Sequence, residues 1–127
     1  MDHKPLNILL VEDNLLNQKL ICLTLSKYGF NIDLAENGAK ALTKFASNDY
    51  DLVLMDIMMP IMDGLETTRQ IRVNERLSKQ HLPIIGLTAN TMDSDRHRCL
   101  EAGMDEYLVK PFDVSEFFRV LELLSLV

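Results

Sequence analysis

Apolar residues along this chain come in two alternating rhythms. Short runs, Ile8-Leu9-Leu10-Val11, Leu52-Val53-Leu54-Met55, Ile84-Ile85-Gly86-Leu87 and Tyr107-Leu108-Val109, are each followed at once by a polar residue. Apolar runs of this length, bounded by turn residues, predict strands of a parallel sheet buried on both faces. With a shorter run at 31–35, the strands are expected at 7–11, 31–35, 51–55, 84–87 and 105–109. Between them apolar residues recur at helical spacing, which predicts helices over 15–28, 38–47, 65–75, 92–102 and 113–125.

In the first helix Leu16, Leu20 and Leu23 form the periodic stripe, and Leu15 lies off it and is expected to be exposed. Ala41, Leu42 and Phe45 mark the second helix; Val114, Phe117, Phe118, Leu121 and Leu124 share one face of the last. Asn14 is a plausible N-cap, and Gly29 and Gly103 are stop signals. Met58-Met59-Pro60-Ile61-Met62-Asp63-Gly64 reads as a loop from its Pro and Asp-Gly, and 76–82 as a polar loop.

Strict alternation of strand and helix favours a doubly wound α/β domain, a parallel sheet covered by helices on both faces. For five strands the order 2-1-3-4-5, flavodoxin-like, fits best. The chain of 127 residues is expected to be a single (βα)5 domain over 1–127, with no linker, repeat or output domain.

Composition narrows the partners. With 47% hydrophobic and 25% charged residues the chain is globular. Its net charge of −6 argues against nucleic acid or an anionic membrane as a direct partner. No apolar stretch is long enough to span a bilayer, and Met1-Asp2-His3-Lys4-Pro5 lacks an apolar signal region, so a cytoplasmic location is expected. Cys22 and Cys99 lack metal or redox spacing and read as half-buried or buried thiols. His3, His81 and His97 are scattered among polar residues and are expected to be solvated.

The polar residues that close the apolar runs carry the chemistry. Glu12-Asp13, Asp56, Thr88 and Lys110 all fall at carboxyl ends of strands, the edge where open α/β sheets place ligands. In the order 2-1-3-4-5 the strands ending in Asp13, Asp56 and Thr88 are neighbours. Three carboxylates against one ammonium leave a formal surplus of negative charge; either one carboxylate is protonated or a hard divalent cation binds. Mg2+ suits the oxygen donors, with Mn2+ as a substitute. Asp56, central in the sheet, is the candidate nucleophile for an acyl phosphate. The Thr88 hydroxyl and Lys110 ammonium can each hold a phosphoryl oxygen, and small Ala89 leaves access to phosphorus.

In these stretches the sequence resembles the receiver domain of two-component signalling. The resemblance lies in Leu10-Val11-Glu12-Asp13-Asn14, in Met55-Asp56-Ile57-Met58-Met59-Pro60 with Met62-Asp63-Gly64, in Leu87-Thr88-Ala89 and in Val109-Lys110-Pro111-Phe112. It implies that Asp56 is the phosphoacceptor and that Asp13, Asp56 and the backbone carbonyl of Met58 ligate the metal, with Glu12 acting through water. It further implies that Thr88 and Lys110 contact the phosphate, that Tyr107 is an aromatic switch residue moving with Thr88, and that the Lys110-Pro111 bond is cis.

The details look like receivers of hybrid histidine kinases, which exchange phosphoryl groups with histidine phosphotransfer domains; a free-standing response regulator shares the pattern. The partners implied are a histidine kinase, a phosphotransfer domain or both. Docking is expected to use the first helix and loops near the site, with Met55, Met58, Met59 and Met62 as an adaptable rim. The chain is expected to be a monomer, or a weak phosphorylation-dependent dimer. It would catalyse its own phosphorylation and dephosphorylation without being a conventional multi-turnover enzyme. Met58 and Asn90 flank the site differently from many relatives, and apolar Met58 is expected to lengthen the life of the acyl phosphate.

Other classes fit less well. An aspartyl-nucleophile phosphatase usually has an acid two residues after the nucleophile, where this chain has Met58. A nucleotide or flavin binder would want a Gly-rich loop after the first strand, and Glu12-Asp13-Asn14 stands there instead. A degenerate receiver that only binds a partner would not need the intact acid, Thr and Lys set.

Overall fold

The structure, a computed structural model, describes residues 5–59, 61–78, 80–89 and 93–126. Each apolar run forms a strand, in the order β1 (Asn7–Val11), α1 (Leu15–Ser26), β2 (Asn31–Ala35), α2 (Gly38–Ser47), β3 (Leu52–Asp56), α3 (Gly64–Ser78), β4 (Ile84–Thr88), α4 (Asp93–Ala102), β5 (Glu106–Val109) and α5 (Val114–Leu123). The five strands pair in parallel in the order β2-β1-β3-β4-β5. Val11, Met55, Gly86 and Tyr107 lie side by side across β1, β3, β4 and β5, so the carboxyl ends of these strands are level with one another.

Alternation of side chains splits the core in two. Leu10, Leu54, Ile85 and Leu108 face α1 and α5, where Ile21, Leu25, Phe117 and Leu121 cover them. Leu9, Val53, Met55 and Ile84 face the other way, against Ala41 of α2, Leu65 and Ile71 of α3, and Cys99 and Ala102 of α4. Gly86 interrupts an otherwise apolar strand because Met104 presses on it: a Cβ there would lie 2.6 Å from the Met104 sulfur. Asn14, Asn37 and Asp113 cap α1, α2 and α5, and Gly29 and Gly103 end their helices at φ of +81° and +108°.

Helix α1 departs from expectation. Leu16, Leu20 and Leu23 are 65%, 55% and 63% exposed, and the buried face is Gln18, Ile21 and Leu25. Leucine and isoleucine occur on nearly every side of this helix, so periodicity alone admitted more than one stripe. Tertiary contacts chose the one whose polar member, Gln18, can donate to the Glu12 carbonyl, at 2.6 Å. Leu15 is exposed, as its position off the stripe suggested.

The loop expected at 76–82 also begins too early, because α3 runs to Ser78. A buried ion network explains the extension. At the end of the sheet away from the carboxyl edge, Arg72 donates to Gly103 O at 2.8 Å and Leu82 O at 2.7 Å. It pairs with Glu75 and Asp105, each at 2.8 Å. Those carboxylates in turn accept the backbone N–H groups of Leu82, at 2.6 Å, and Ile84, at 2.8 Å. His81 is exposed, as expected, with its Nε2 2.6 Å from Asp105 Oδ1. His97 is exposed and pairs with Glu101 at 2.9 Å; His3 lies outside the described residues.

The reassigned face of α1 has a direct stability test. Ile21→Ala should cost about 2–5 kcal/mol in urea denaturation, as a buried large-to-small change does. Leu20→Ser should stay within about 0.5 kcal/mol of wild type. Equal losses would return Leu20 to the core.

Candidate functional site

The level strand ends bring the expected polar residues to one cleft. Glu12 follows β1 and is fully buried; Asp56 closes β3 and is 3% exposed; Thr88 closes β4 and is buried. Lys110 follows β5 and reaches back across β4, its Nζ lying 3.1 Å from Asp56 Oδ1 and 3.3 Å from Glu12 Oε1. Its backbone N–H donates to Thr88 O at 2.7 Å, continuing the sheet by one rung. Asp13 is exposed at the mouth. Carboxylate oxygens of Glu12, Asp13 and Asp56 all lie within 4.8 Å of one another.

Met58 is exposed, and its backbone N–H donates to Asp56 Oδ1 at 3.3 Å, which puts that peptide beside the carboxylate. Met55 is buried, while Met59 packs against the core under α3. Tyr107 is partly buried on the α4 side of the sheet. Thr88 falls on that side too, by alternation from Gly86, which pairs with Tyr107. The two residues are thus diagonal neighbours on adjacent strands. The Lys110–Pro111 bond is cis. Pro60 and Asn90 lie outside the described residues.

The structure adds a supporting layer that motif reading passed over. Glu12 is held on α1's first turn: the Asn14 N–H donates to Oε2 at 3.1 Å and the Asn17 amide to Oε1 at 3.3 Å. Gln18 ties down the Glu12 carbonyl. The clue was available as three amides at 14, 17 and 18, right after the acids. Gly64 is the other. A Cβ there would sit 2.2 Å from the Asp56 carbonyl oxygen, so only glycine lets α3 begin against the Asp56 backbone.

Two buried carboxylates beside one ammonium cannot all ionise freely. Burial, then the hydrogen bond and charge of Glu12, push Asp56 up to about 7, against the opposing pull of Lys110. Burial pushes Glu12 up as well, but its hydrogen bonds from Asp56 and Asn14 and the Lys110 ammonium outweigh that and hold it below its ordinary value. Burial works against the charge on Lys110, and the two carboxylates outweigh it, raising its pKa. Without a metal, then, Asp56 is the member of the pair that holds a proton as pH falls below about 7. The donor set of hard carboxylate oxygens with a net negative charge fits a divalent cation that would displace that proton.

The response regulator receiver domain family matches residues 8–122. Hybrid signal transduction histidine kinase I of Dictyostelium discoideum is 43% identical over 122 residues, which cover 92% of this chain and 7% of that protein. Probable histidine kinase 4 of rice is 37% identical, over 91% of this chain and 13% of its own length. The chain therefore spans only a small part of the curated relatives it matches. Among solved structures, the receiver domain of a sensor histidine kinase from Pseudomonas aeruginosa, with magnesium coordinated in its active-site cleft, has a TM-score of 0.83 and 42% identity, covering 94% of this chain and 97% of its own. The receiver domain of yeast Ssk1, crystallised with the histidine phosphotransfer protein Ypd1, has a TM-score of 0.88 and 28% identity, covering 100% of this chain and 95% of that one.

The raised pKa of Asp56 predicts an unusual pH dependence. Asp56 is raised from 3.8 to about 7, so across that interval the folded chain keeps a proton the unfolded chain has lost. Stability from this group is therefore lost as pH rises. Glu12, lowered from 4.5, contributes in the opposite sense and loses its contribution only as pH falls below its ordinary range. In a chelator, thermal melts should show Asp56 lowering stability between about pH 5 and about pH 7, and Asp56→Asn should remove that decline. An identical pH profile for the variant would refute the assignment of the proton.

Proposed function

The chain belongs to the response regulator receiver domain family, and from that membership we propose that it is a phosphorylation-operated switch with Asp56 as its phosphoacceptor. The carrying observation is the buried Asp56 carboxylate, 3.1 Å from Lys110 and grouped with the oxygens of Glu12 and Asp13. Asp13, Asp56 and the Met58 carbonyl would hold Mg2+, with Glu12 reaching it through water. Bound there, the ion offsets the crowded negative charge that otherwise repels an incoming phosphoryl group.

The transfer itself uses the chain's own groups. An Asp56 oxygen attacks phosphorus in line; the new P–O bond forms as the donor's P–N bond breaks, and the imidazole leaves with the bonding pair. Lys110 turns from the bare carboxylates to a phosphoryl oxygen, and the Thr88 hydroxyl donates to another. Because Thr88 and Tyr107 share one face, a pull on Thr88 vacates or fills space beside Tyr107 and is felt on the face made by α4, β5 and α5. Moving a two-state equilibrium from 1:99 to 99:1 needs about 5.5 kcal/mol. Two or three charge-assisted hydrogen bonds at about 1.5–3 kcal/mol each supply it.

The donor class is a phosphohistidine protein. Support comes from the exposed leucines of α1 and from a cleft of ≈ 190 Å³ beside the site, lined by Asn17, Leu20, Ile21, Lys110 and Phe112. Those leucines suit the apolar side of a helical partner. A receiver within a hybrid histidine kinase accounts for the relatives and for the small share of them that the chain spans. A cytoplasmic location goes with this reading, since phosphohistidine is made from ATP.

Acetyl phosphate with Mg2+ should add one phosphoryl mass to the intact chain, chelator should prevent it, and Asp56→Asn should abolish it. Persistence of the adduct in Asp56→Asn would sink the proposal. Met58→Asn should speed loss of the phosphate by placing a polar side chain where the attacking water must be oriented; equal decay rates would show that Met58 does not set the lifetime.

A further inference from the structure

The loop between β3 and α3, residues 57–63, keeps two large apolar side chains in solvent: Met58 is 76% exposed and Ile61 84%. Ile61 also has φ of +72°. For a β-branched residue that left-handed conformation is strained, whereas glycine or asparagine adopts it readily. Ile61 thus opposes two ordinary tendencies at one position, leaving apolar surface wet and the backbone outside its preferred region. The two ends of the loop are held by hydrogen bonds. The Gly64 N–H donates to Ile57 O at 2.9 Å, and Gly64 packs directly on the Asp56 carbonyl. At the other end the Met58 N–H touches the Asp56 carboxylate at 3.3 Å. The loop is a short arch pinned to the site at both ends.

We propose that Ile61, with Met58 beside it, determines which phosphohistidine protein can deliver to Asp56, by receiving an apolar patch of the donor on this arch. The inference rests on Asp56 being the phosphoacceptor. What covers the arch follows from the transfer. Asp56 is 3% exposed, so the donor imidazole must descend into the cleft before its P–N bond can break and the P–O bond form. The protein surface around that histidine then closes over the rim. Among the described residues of the loop that follows Asp56, Met58 and Ile61 are the exposed large apolar ones. A single exposed apolar side chain needs no explanation, but one held in place against backbone strain does. A small donor such as phosphoramidate carries the same P–N bond without a surface, and it has no means of sensing Ile61.

Ile61→Asn separates the two roles, because asparagine accepts the positive φ and removes the apolar contact. Its melting temperature should rise by about 3–5 °C. Labelling by phosphoramidate with Mg2+ should stay within about twofold of wild type, while transfer from a phosphorylated histidine phosphotransfer protein at subsaturating concentration should slow about tenfold. Yeast Ypd1 and several other such proteins serve as donors, and the fastest on wild type is used for the comparison. Ile61→Val, which keeps the branch and the apolar surface, should match wild type with both donors. The inference is overturned if Ile61→Asn slows both donors alike or neither, or if its melting temperature falls. It is overturned as well if phosphoramidate labels wild type and no phosphotransfer protein does. Failure of phosphoramidate to label Asp56 in wild type would instead overturn the phosphoacceptor reading itself.

Discussion

Two buried carboxylates face one ammonium at the carboxyl edge of the sheet, and most of the structure around them serves that imbalance. Lys110 reaches Asp56 at 3.1 Å and Glu12 at 3.3 Å, bridging elements from three different strands. One positive charge cannot neutralise both acids, so the cleft retains a proton or takes up a cation. That makes Asp56 responsive: any event that brings or removes charge at this carboxylate also changes what Lys110 and Glu12 can bond. A site with matched charges would be more stable and less easily switched.

Holding such a site in register requires rigid supports, and they come from backbone as much as from side chains. The parallel sheet sets β1, β3, β4 and β5 level, so residues far apart in the chain, such as Asp13, Asp56 and Lys110, meet without a long loop. Gly64 allows α3 to start against the Asp56 carbonyl, and Gln18 and Asn17 fix Glu12 from α1. At the far end of the sheet, Arg72 ties α3 to Gly103, Leu82 and Asp105 with nearly all of its donors. Removing one partner from so buried a network leaves an uncompensated charge, which costs about 3–5 kcal/mol. The fold thus keeps its rigidity at the pole away from the chemistry.

Near the chemistry the opposite compromise prevails. Exposed leucines on α1, exposed Met58 and a strained Ile61 all lie on elements that leave the carboxyl edge. None of them stabilises the isolated chain. Asp56 at that edge is itself only 3% exposed.

By itself the sequence determined the architecture and the membership of the site. Four short apolar runs fit strands covered on both faces, and with the segment at 31–35 their alternation with helices leaves few topologies. The polar residue closing each run had to reach the same edge, so Glu12, Asp13, Asp56, Thr88 and Lys110 were legible as a set. Only the tertiary structure decided which face of α1 is buried. Seven of its first eleven residues are apolar, and the choice among its stripes depends on a long-range contact, Gln18 with the Glu12 carbonyl. The extent of α3, the carboxylates around His81 and the raised pKa of Asp56 were likewise hidden. Each depends on groups far apart in the chain coming within a few ångströms, and periodicity, which reports only the local direction of side chains, carries no record of such distances.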